Sequence, residues 1–506
     1  MKIFSIAVNM HDHNTYDGII HRQEERYTRR KHNLSPTDPH DPTPSREFFL
    51  EQFVPHYQNK TSEKIFAFTC SNLGKEFVLD LIDSSVGNRD FLNFKPTNLW
   101  ERLHTENYYY IDHHQSHAAY AFLNSGFTES DILAIDGRGW QFTCIFVDRH
   151  GTITDLSSQL SIGGLWNRLS QDIGFGYLGA GKTMGLAGFG NYNHLVHDMI
   201  DEYMQNPNHR LPDNAKAIIE AVPKEDIAYT LQYATNELIK KIVYPLKTSD
   251  NICVAGGVAY NGYMNEGLTK HYTNVHVPPA VGDEGQALGT YMHADYVLNQ
   301  NIHRPNVYAG AEYVVDPSIF NGLNYQQKPF DEICVEVAQA IANGAIVGWY
   351  QGRSESGNRA LGNRSILADP RNPDIKNIIN SRIKQREDFR PFAPSVLVEH
   401  YQEYFDTNQP SAYMSRIVPV ISDKIPGVTH VDGTARIQTV AKTFNERFYN
   451  VINEFYKLTG IPMLLNTSFN CQEPIVETPD QAVHTFTNTD LDILVINDWI
   501  IRKQNV

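Results

Sequence analysis

Asp112-His113-His114-Gln115-Ser116-His117-Ala118-Ala119, and after it Leu133-Ala134-Ile135-Asp136-Gly137, decide how this chain is read. His113 and His117 stand one helical turn apart, the spacing by which a helix turns two imidazoles toward one metal ion. The second stretch reads as a buried strand that delivers the Asp136 carboxylate at its end, where open α/β sheets gather their ligands. Asp283, in Val281-Gly282-Asp283-Glu284-Gly285, offers a second oxygen. Such a His-His-Asp-Asp set suits Fe(II), Mn(II) or Zn(II) with positions left open for a ligand, and lacks the third nitrogen or thiolate of a closed structural zinc site. His114 follows His113 where a metalloprotease would carry its glutamate base. The plainer alternative for the histidines is a pair of satisfied side chains on a helix.

Composition bounds the rest. A chain of 506 residues exceeds one core, so two or three domains are expected. A formal net charge of −15 and a pI near 5.8 argue against coating nucleic acid or anionic membrane through bulk charge. Cys70, Cys144, Cys253, Cys334 and Cys471 are scattered without a CxxC pair, so neither a disulfide framework nor a thiolate zinc site is indicated. With no apolar run of the roughly 18 residues a membrane span needs, the expectation is a soluble, cytoplasmic protein.

The first third alternates short apolar strands, at 3–8, 64–68, 107–111, 132–135 and 141–147, with helical segments, an α/β pattern. Residues 34–45, with four prolines, suit an exposed loop, and a second α/β unit is expected from about 165 to 301. Residues 306–330 show no periodicity and read as a linker. Beyond it, 353–390 hold nine Lys or Arg against five acids, the reverse of the global balance. Such a run is often only a solvated face, but Gly352, Gly357 and Gly362 are interleaved, and arginines beside tight turns suit phosphoryl or carboxyl groups. Two further glycine turns, 179–185 and 256–261, could offer backbone N–H groups to phosphate. Gly181-Lys182-Thr183 is like the end of a Walker A loop but lacks its upstream strand, so paired glycine turns on two lobes fit an actin-like ATPase arrangement better.

These motifs carry a resemblance. Glu24-Glu25-Arg26-Tyr27-Thr28-Arg29, the histidine cluster, Gly181-Lys182-Thr183-Met184-Gly185, Gly256-Gly257-Val258-Ala259, Gly352-Arg353-Ser354-Glu355, Arg359-Ala360-Leu361-Gly362-Asn363-Arg364-Ser365, Phe389-Arg390-Pro391-Phe392-Ala393-Pro394, Asp432-Gly433-Thr434-Ala435-Arg436 and Leu465-Asn466-Thr467-Ser468-Phe469-Asn470 are similar to those of the NodU/CmcH family of O-carbamoyltransferases, which includes the tobramycin carbamoyltransferase. The resemblance implies an α/β protein: residues 1–325 an actin-like (ASKHA) domain similar to the tRNA threonylcarbamoyltransferase, with lobes at about 1–150 and 151–305, and residues 326–506 a YrdC-like domain. It implies that carbamoyl phosphate and ATP, with Mg(II), form carbamoyl adenylate, whose carbamoyl group passes to an acceptor hydroxyl. Lys384 and Arg386, in a KxR signature, and His11, as general base, are the implied catalytic residues. Lys182, Gly256, Gly257, Asn261, Arg359, Arg390, Arg436, Asn466, Ser468 and Asn470 are the implied binding residues. His113, His117, Asp136 and Asp283 would hold the metal, Fe(II) first, with Mn(II) or Zn(II) as alternatives.

Asn358 stands where the family usually has proline, and the segment from His11 to Glu24 is short for the family's hairpin, which suggests an open acceptor pocket. The acceptor is then the hydroxyl of a small molecule, sugar or antibiotic, or the hydroxymethyl group of a DNA base such as 5-hydroxymethylcytosine, with Arg22, Arg26, Arg29, Arg30 and Lys31 placed to touch phosphates. A non-catalytic ATP-binding scaffold and a metallohydrolase are the competing readings.

Overall fold

In the computed structural model, which describes residues 1–8, 13–28, 64–70, 96–105, 108–137 and 142–503, the run Ile3 to Val8 is buried on both faces. That is the pattern of a central strand covered on each side. This strand, β1 (Lys2–Val8), stands inside a six-stranded sheet with β2 (Asn14–Tyr16), β3 (His21–Gln23), β4 (Lys64–Cys70), β5 (Leu103–Thr105) and β6 (Tyr108–Tyr110), in the order β3-β2-β1-β4-β6-β5. β1, β2 and β3 run antiparallel in succession, while β4 joins β1 in parallel and β6 joins β4 in parallel.

A second sheet repeats this plan. β7 (Asp131–Ile135), β8 (Cys144–Val147) and β9 (Ile153–Asp155) are antiparallel in succession, and β10 (Asn251–Ala255) and β11 (Asn274–His276) extend β7 in parallel, giving β11-β10-β7-β8-β9. The same strand topology thus recurs in both lobes. Each lobe lends a helix to the other. Helix His113–Ser125 follows the first sheet but packs on β7 and β10, and helix Gln286–Asn299 follows the second sheet but packs on β1, β2 and β4. The two helices meet at Gly289, where a Cβ would lie 2.1 Å from the Ser116 carbonyl oxygen, so only glycine permits the approach. β7 and β8 belong to the second sheet, so the second lobe takes in residues from Asp131 onward rather than from about 151.

The chain divides into two compact units, Met1–Asn306 and Val307–Val506. The second is built on a nine-stranded mixed sheet, β12-β20-β19-β13-β14-β18-β15-β17-β16. Its strands are β12 (Asn324–Gln327), β13 (Val347–Tyr350), β14 (Arg364–Ala368), β15 (Ala393–Leu397), β16 (Arg416–Pro419), β17 (Thr434–Val440), β18 (Met463–Ser468), β19 (Ile493–Ile496) and β20 (Trp499–Arg502). Helices Phe330–Ala342 and Glu446–Thr459 pack together and bury Ile333, Val337, Phe448, Val451 and Phe455 in its core. Residues 307–330 are not a linker but part of this unit. Val307 packs with Leu361, Ala393 and Met414, and β12 closes the sheet edge by pairing antiparallel with β20. The proline-rich residues 34–45 lie outside the described residues. Among the described residues no helix is long and apolar enough to cross a membrane.

Candidate active site

Asp112 opens helix His113–Ser125 by accepting hydrogen bonds on Oδ1 from the N–H groups of His114 (2.8 Å) and Gln115 (3.4 Å), and Gly126 closes it in the left-handed conformation at φ 81°. His113 and His117 thereby face the end of β7. The Nε2 atoms of His113 and His117 lie 3.4 and 3.0 Å from Oδ2 of Asp136, and 3.3 and 3.5 Å from Oδ1 of Asp283. All four donor atoms lie within 4.8 Å of one another. Metal–ligand bonds of about 2.0–2.2 Å put neighbouring donors around one ion roughly 3.0–3.5 Å apart, so this set fits a single ion as it stands. The imidazoles are closed off, 0% and 1% exposed, whereas the carboxylates keep 16% and 11%, so the free side of the cluster is the carboxylate side.

The charges reinforce one another. Burial alone would lower the pKa of His113, but Asp283 and Asp136 override it and raise it to about 10; burial opposes His117 too, and Asp136 and Asp283 raise it. The two aspartates are held below the usual carboxylate range by the imidazoles in spite of burial. The imidazoles and carboxylates thus form an ion-paired cluster whose imidazole protons a divalent cation can displace. His114 is not part of it. Burial, then the neighbouring His113, push its pKa down to about 3, and its ring stands edge-on to Phe142.

Glycines hold Asp136 where it is. A Cβ on Gly256 (φ 90°) would meet the Ile135 carbonyl oxygen at 2.2 Å, one on Gly257 would meet Asp136 Oδ1 at 2.9 Å, and one on Gly163 would meet the Asp136 carbonyl oxygen at 2.5 Å. The Gly256-Gly257 turn is therefore pressed against the Ile135 backbone and the Asp136 side chain, and Gly163 against the Asp136 backbone. Gly163 and Asp112 were missed in the sequence, although a Gly-Gly pair and an acid just before a helix were signals for both. Lys182 sits half-buried on helix Ala180–Leu186, its Nζ 5.9 Å from the Phe175 ring centre. Asn261 uses its side chain to cap helix Gly262–Leu268 through Met264 N–H and to donate to Gln232. His11 lies outside the described residues.

In the second unit the two signatures read as a pair do converge. Buried Lys384 ends a π-helical turn, Asn380–Lys384, and its Nζ donates to Ser468 Oγ (3.2 Å), Asn470 Oδ1 (2.6 Å) and the carbonyl oxygens of Ser468 and Asn470. Arg386 lies over the Phe392 ring and donates to Asn380 Oδ1 (2.8 Å); burial, then the neighbouring Arg390, lower its pKa. Burial lowers that of Arg390 as well, despite Glu387 at 3.7 Å. Since a guanidinium keeps its proton in proteins, two positive charges stand here in a partly dry place, with the Glu387 carboxylate beside Arg390. The rest of the basic segment is largely structural. Arg353 donates to the Gly310 carbonyl, Arg371 pairs with Asp369, Lys376 donates to the Thr429 carbonyl, and Arg382 donates to the Asp490 carbonyl. Arg364 is fully buried, stacked 3.6 Å from the Tyr350 ring and bonded to the carbonyls of Gln351, Asn363 and Gly352.

Arg359 sits on a loop shaped by Glu355, a residue given no role from sequence. Glu355 is buried, and its Oε1 accepts from the N–H groups of Leu361, Asn363 and Arg364 at 2.7, 2.9 and 3.2 Å. Arg436 lies on β17. Asn466 is 1% exposed and donates inside the protein, to the Ala360 carbonyl, Ser395 and Gln438, so its amide ties strands together. In the first unit Arg22 pairs with Asp17 at 3.0 Å and Arg26 is buried. These two arginines are not presented to a phosphate backbone, and Arg29, Arg30 and Lys31 lie outside the described residues, so a DNA acceptor finds no support here.

Residues 8–292 match the carbamoyltransferase N-terminus family and residues 338–503 the carbamoyltransferase C-terminus family. The chain is 37% identical over 436 residues to the nodulation protein NolNO of Sinorhizobium fredii (strain NBRC 101917 / NGR234), a match that covers 78% of this chain and 64% of that protein. It thus spans just under two thirds of that relative's length. It is 35% identical over 435 residues to the nodulation protein NolO of Bradyrhizobium diazoefficiens (78% of this chain, 79% of that protein). It is 31% identical over 343 residues to the 3'-hydroxymethylcephem-O-carbamoyltransferase of Amycolatopsis lactamdurans (64% and 65%). Solved structures overlay only loosely: the activator of 2-hydroxyisocaproyl-CoA dehydratase from Clostridium difficile gives a TM-score of 0.36 at 12% identity over 59% of this chain and 97% of that one, and no argument is built on it. Both units are matched along most of their length, and the chain belongs to the carbamoyltransferase family of enzymes.

Proposed function

We propose that the chain is an ATP-dependent O-carbamoyltransferase that works through carbamoyl adenylate. The observation that carries this is the convergence of Lys384 with Ser468 and Asn470, followed within a few residues by the half-buried guanidiniums of Arg386 and Arg390. Joining two polyanions needs cations held in a partly dry place, where they act at full strength. We read this unit as YrdC-like and Arg359 and Arg436 as further phosphate ligands. Atoms balance if carbamoyl phosphate gives up its phosphate to water and the remaining carbamate oxygen attacks the α-phosphorus of Mg–ATP, releasing pyrophosphate.

In the first unit, read as actin-like, the acceptor hydroxyl oxygen attacks the carbamoyl carbon and AMP leaves. Lys182 and the Gly256-Gly257-Asn261 turn are placed to bind the nucleotide, Asn261 through its backbone because its side chain is spent on a helix cap. His11 takes the hydroxyl proton in this reading. His113, His117, Asp136 and Asp283 would hold a divalent metal, Fe(II) with Mn(II) or Zn(II) as alternatives, which supplies Lewis-acid neutralisation of the nucleotide phosphates. The acceptor is a small hydroxyl compound, as the name of the cephem-modifying relative indicates for that protein.

The test is incubation of the protein with ATP and carbonyl-labelled carbamoyl phosphate, without acceptor. Labelled carbamoyl adenylate with equimolar pyrophosphate, lost in Lys384→Ala, is the expected result. Nucleotide binding without either product would replace the transferase with a scaffold.

A further inference from the structure

Helix Gln286–Asn299 does not begin as an α-helix. Its first turn, Asp283–Gly285, is a 3₁₀ turn closed by Gln286 N–H donating to the Asp283 carbonyl. The Ala287 N–H, which in an α-turn would donate to that same carbonyl, goes instead to Oδ1 of Asn14 at 2.9 Å, while Asn14 Nδ2 donates to the Asp283 carbonyl at 2.8 Å. One carboxamide from β2 thus stands in for the missing i to i+4 bond, using the donor and the acceptor that only an amide carries together. Gln286 makes the matching tie on the other side. Its Nε2 donates to the His113 carbonyl at 3.1 Å, and its own carbonyl accepts from Ser116 Oγ at 2.9 Å. Asn14 and Gln286 are both fully buried.

We propose that Asn14 and Gln286 are positioning residues that set the bite of the metal site. Asn14 keeps the first turn tight, so that the Asp283 carboxylate points across to the histidines rather than along the helix, and Gln286 locks that turn to the backbone of His113. The inference rests on the metal reading above.

The test uses the full chain loaded with Co(II), whose visible absorption reports ligand geometry and whose affinity is read by competition with a chelator. Asn14→Leu, which keeps bulk but removes both hydrogen bonds, and Asn14→Asp, which sets an acceptor against the Asp283 carbonyl, are expected to weaken Co(II) binding about 10–100-fold and to alter the spectrum. Gln286→Glu should do the same and serves if the Asn14 variants do not fold. Folded variants with wild-type affinity and spectrum would overturn the proposal while leaving the metal site standing. Wild-type protein that takes up no cobalt would instead overturn the metal reading itself.

Discussion

A single aspartate illustrates how tightly function is written into local geometry. Asp136 reaches both imidazoles with Oδ2 while its Oδ1 accepts from the Gly137 N–H at 2.6 Å, and Gly163 presses on its backbone, Gly257 on its side chain and Gly256 on the preceding Ile135. Gly256→Ala is expected to cost about 1–3 kcal/mol from the positive φ alone, before the 2.2 Å clash with Ile135 is relieved. Denaturant titration measures the loss, and metal affinity should fall with it. The pH dependence of metal uptake follows from His113. Its pKa without metal stands at about 10, so near neutrality the cation must displace a proton. Metal affinity is expected to rise with pH toward 10, about tenfold per unit for each proton released. Competition titrations at pH 6, 7 and 8 check this, and a flat profile would contradict it. The same raised pKa stabilises the metal-free fold below pH 6.5 and ceases to do so as pH climbs through about 10.

Elements set what those residues can do. Helix His113–Ser125 delivers His113 at its first position and His117 one turn on, and its first turn is the part of a helix that depends most on its cap. Asp112→Ala is expected to lose about 0.5–2 kcal/mol and to weaken metal binding, whereas Asp112→Asn, which can still accept from His114 N–H, should keep most of both. The basic segment teaches the opposite lesson. Counted as charge it looked like one anion-binding patch, but Arg353, Arg364 and Arg371 are bonded within the fold and only part of the run is left for ligands. Arg364→Lys should therefore lower the melting temperature, because a lysine cannot reproduce a planar fork that bonds three carbonyls while stacked on Tyr350. Arg390→Lys should retain the melting temperature and raise the KM for ATP.

At the scale of the whole molecule, the proposed function divides the chemistry between the two compact units, Met1–Asn306 and Val307–Val506. The two half-reactions are then expected to fail separately. His117→Ala should still release pyrophosphate and form carbamoyl adenylate but transfer nothing to acceptor, while Lys384→Ala should transfer from supplied carbamoyl adenylate yet form none. Rapid-quench assays of each half-reaction check the pair. Loss of both activities in both variants would contradict the division of labour.

The sequence by itself determined the α/β class and named the residues that gather as the His113–His117–Asp136–Asp283 cluster and the Lys384–Ser468–Asn470 group, because each is announced by short-range signals: a one-turn spacing, a strand end, a compact motif. It placed β7 and β8 in the wrong lobe and took 306–330 for a linker, because strand partners are chosen by burial against distant chain rather than by local periodicity. Only the tertiary structure decided which arginines are spent internally, that the Asn261 and Asn466 amides tie the fold together, and that Asn14 bridges a turn some 270 positions away. Those roles depend on which buried polar group finds which partner, a matter settled by packing, since a buried donor or acceptor left alone costs more than the bond itself returns.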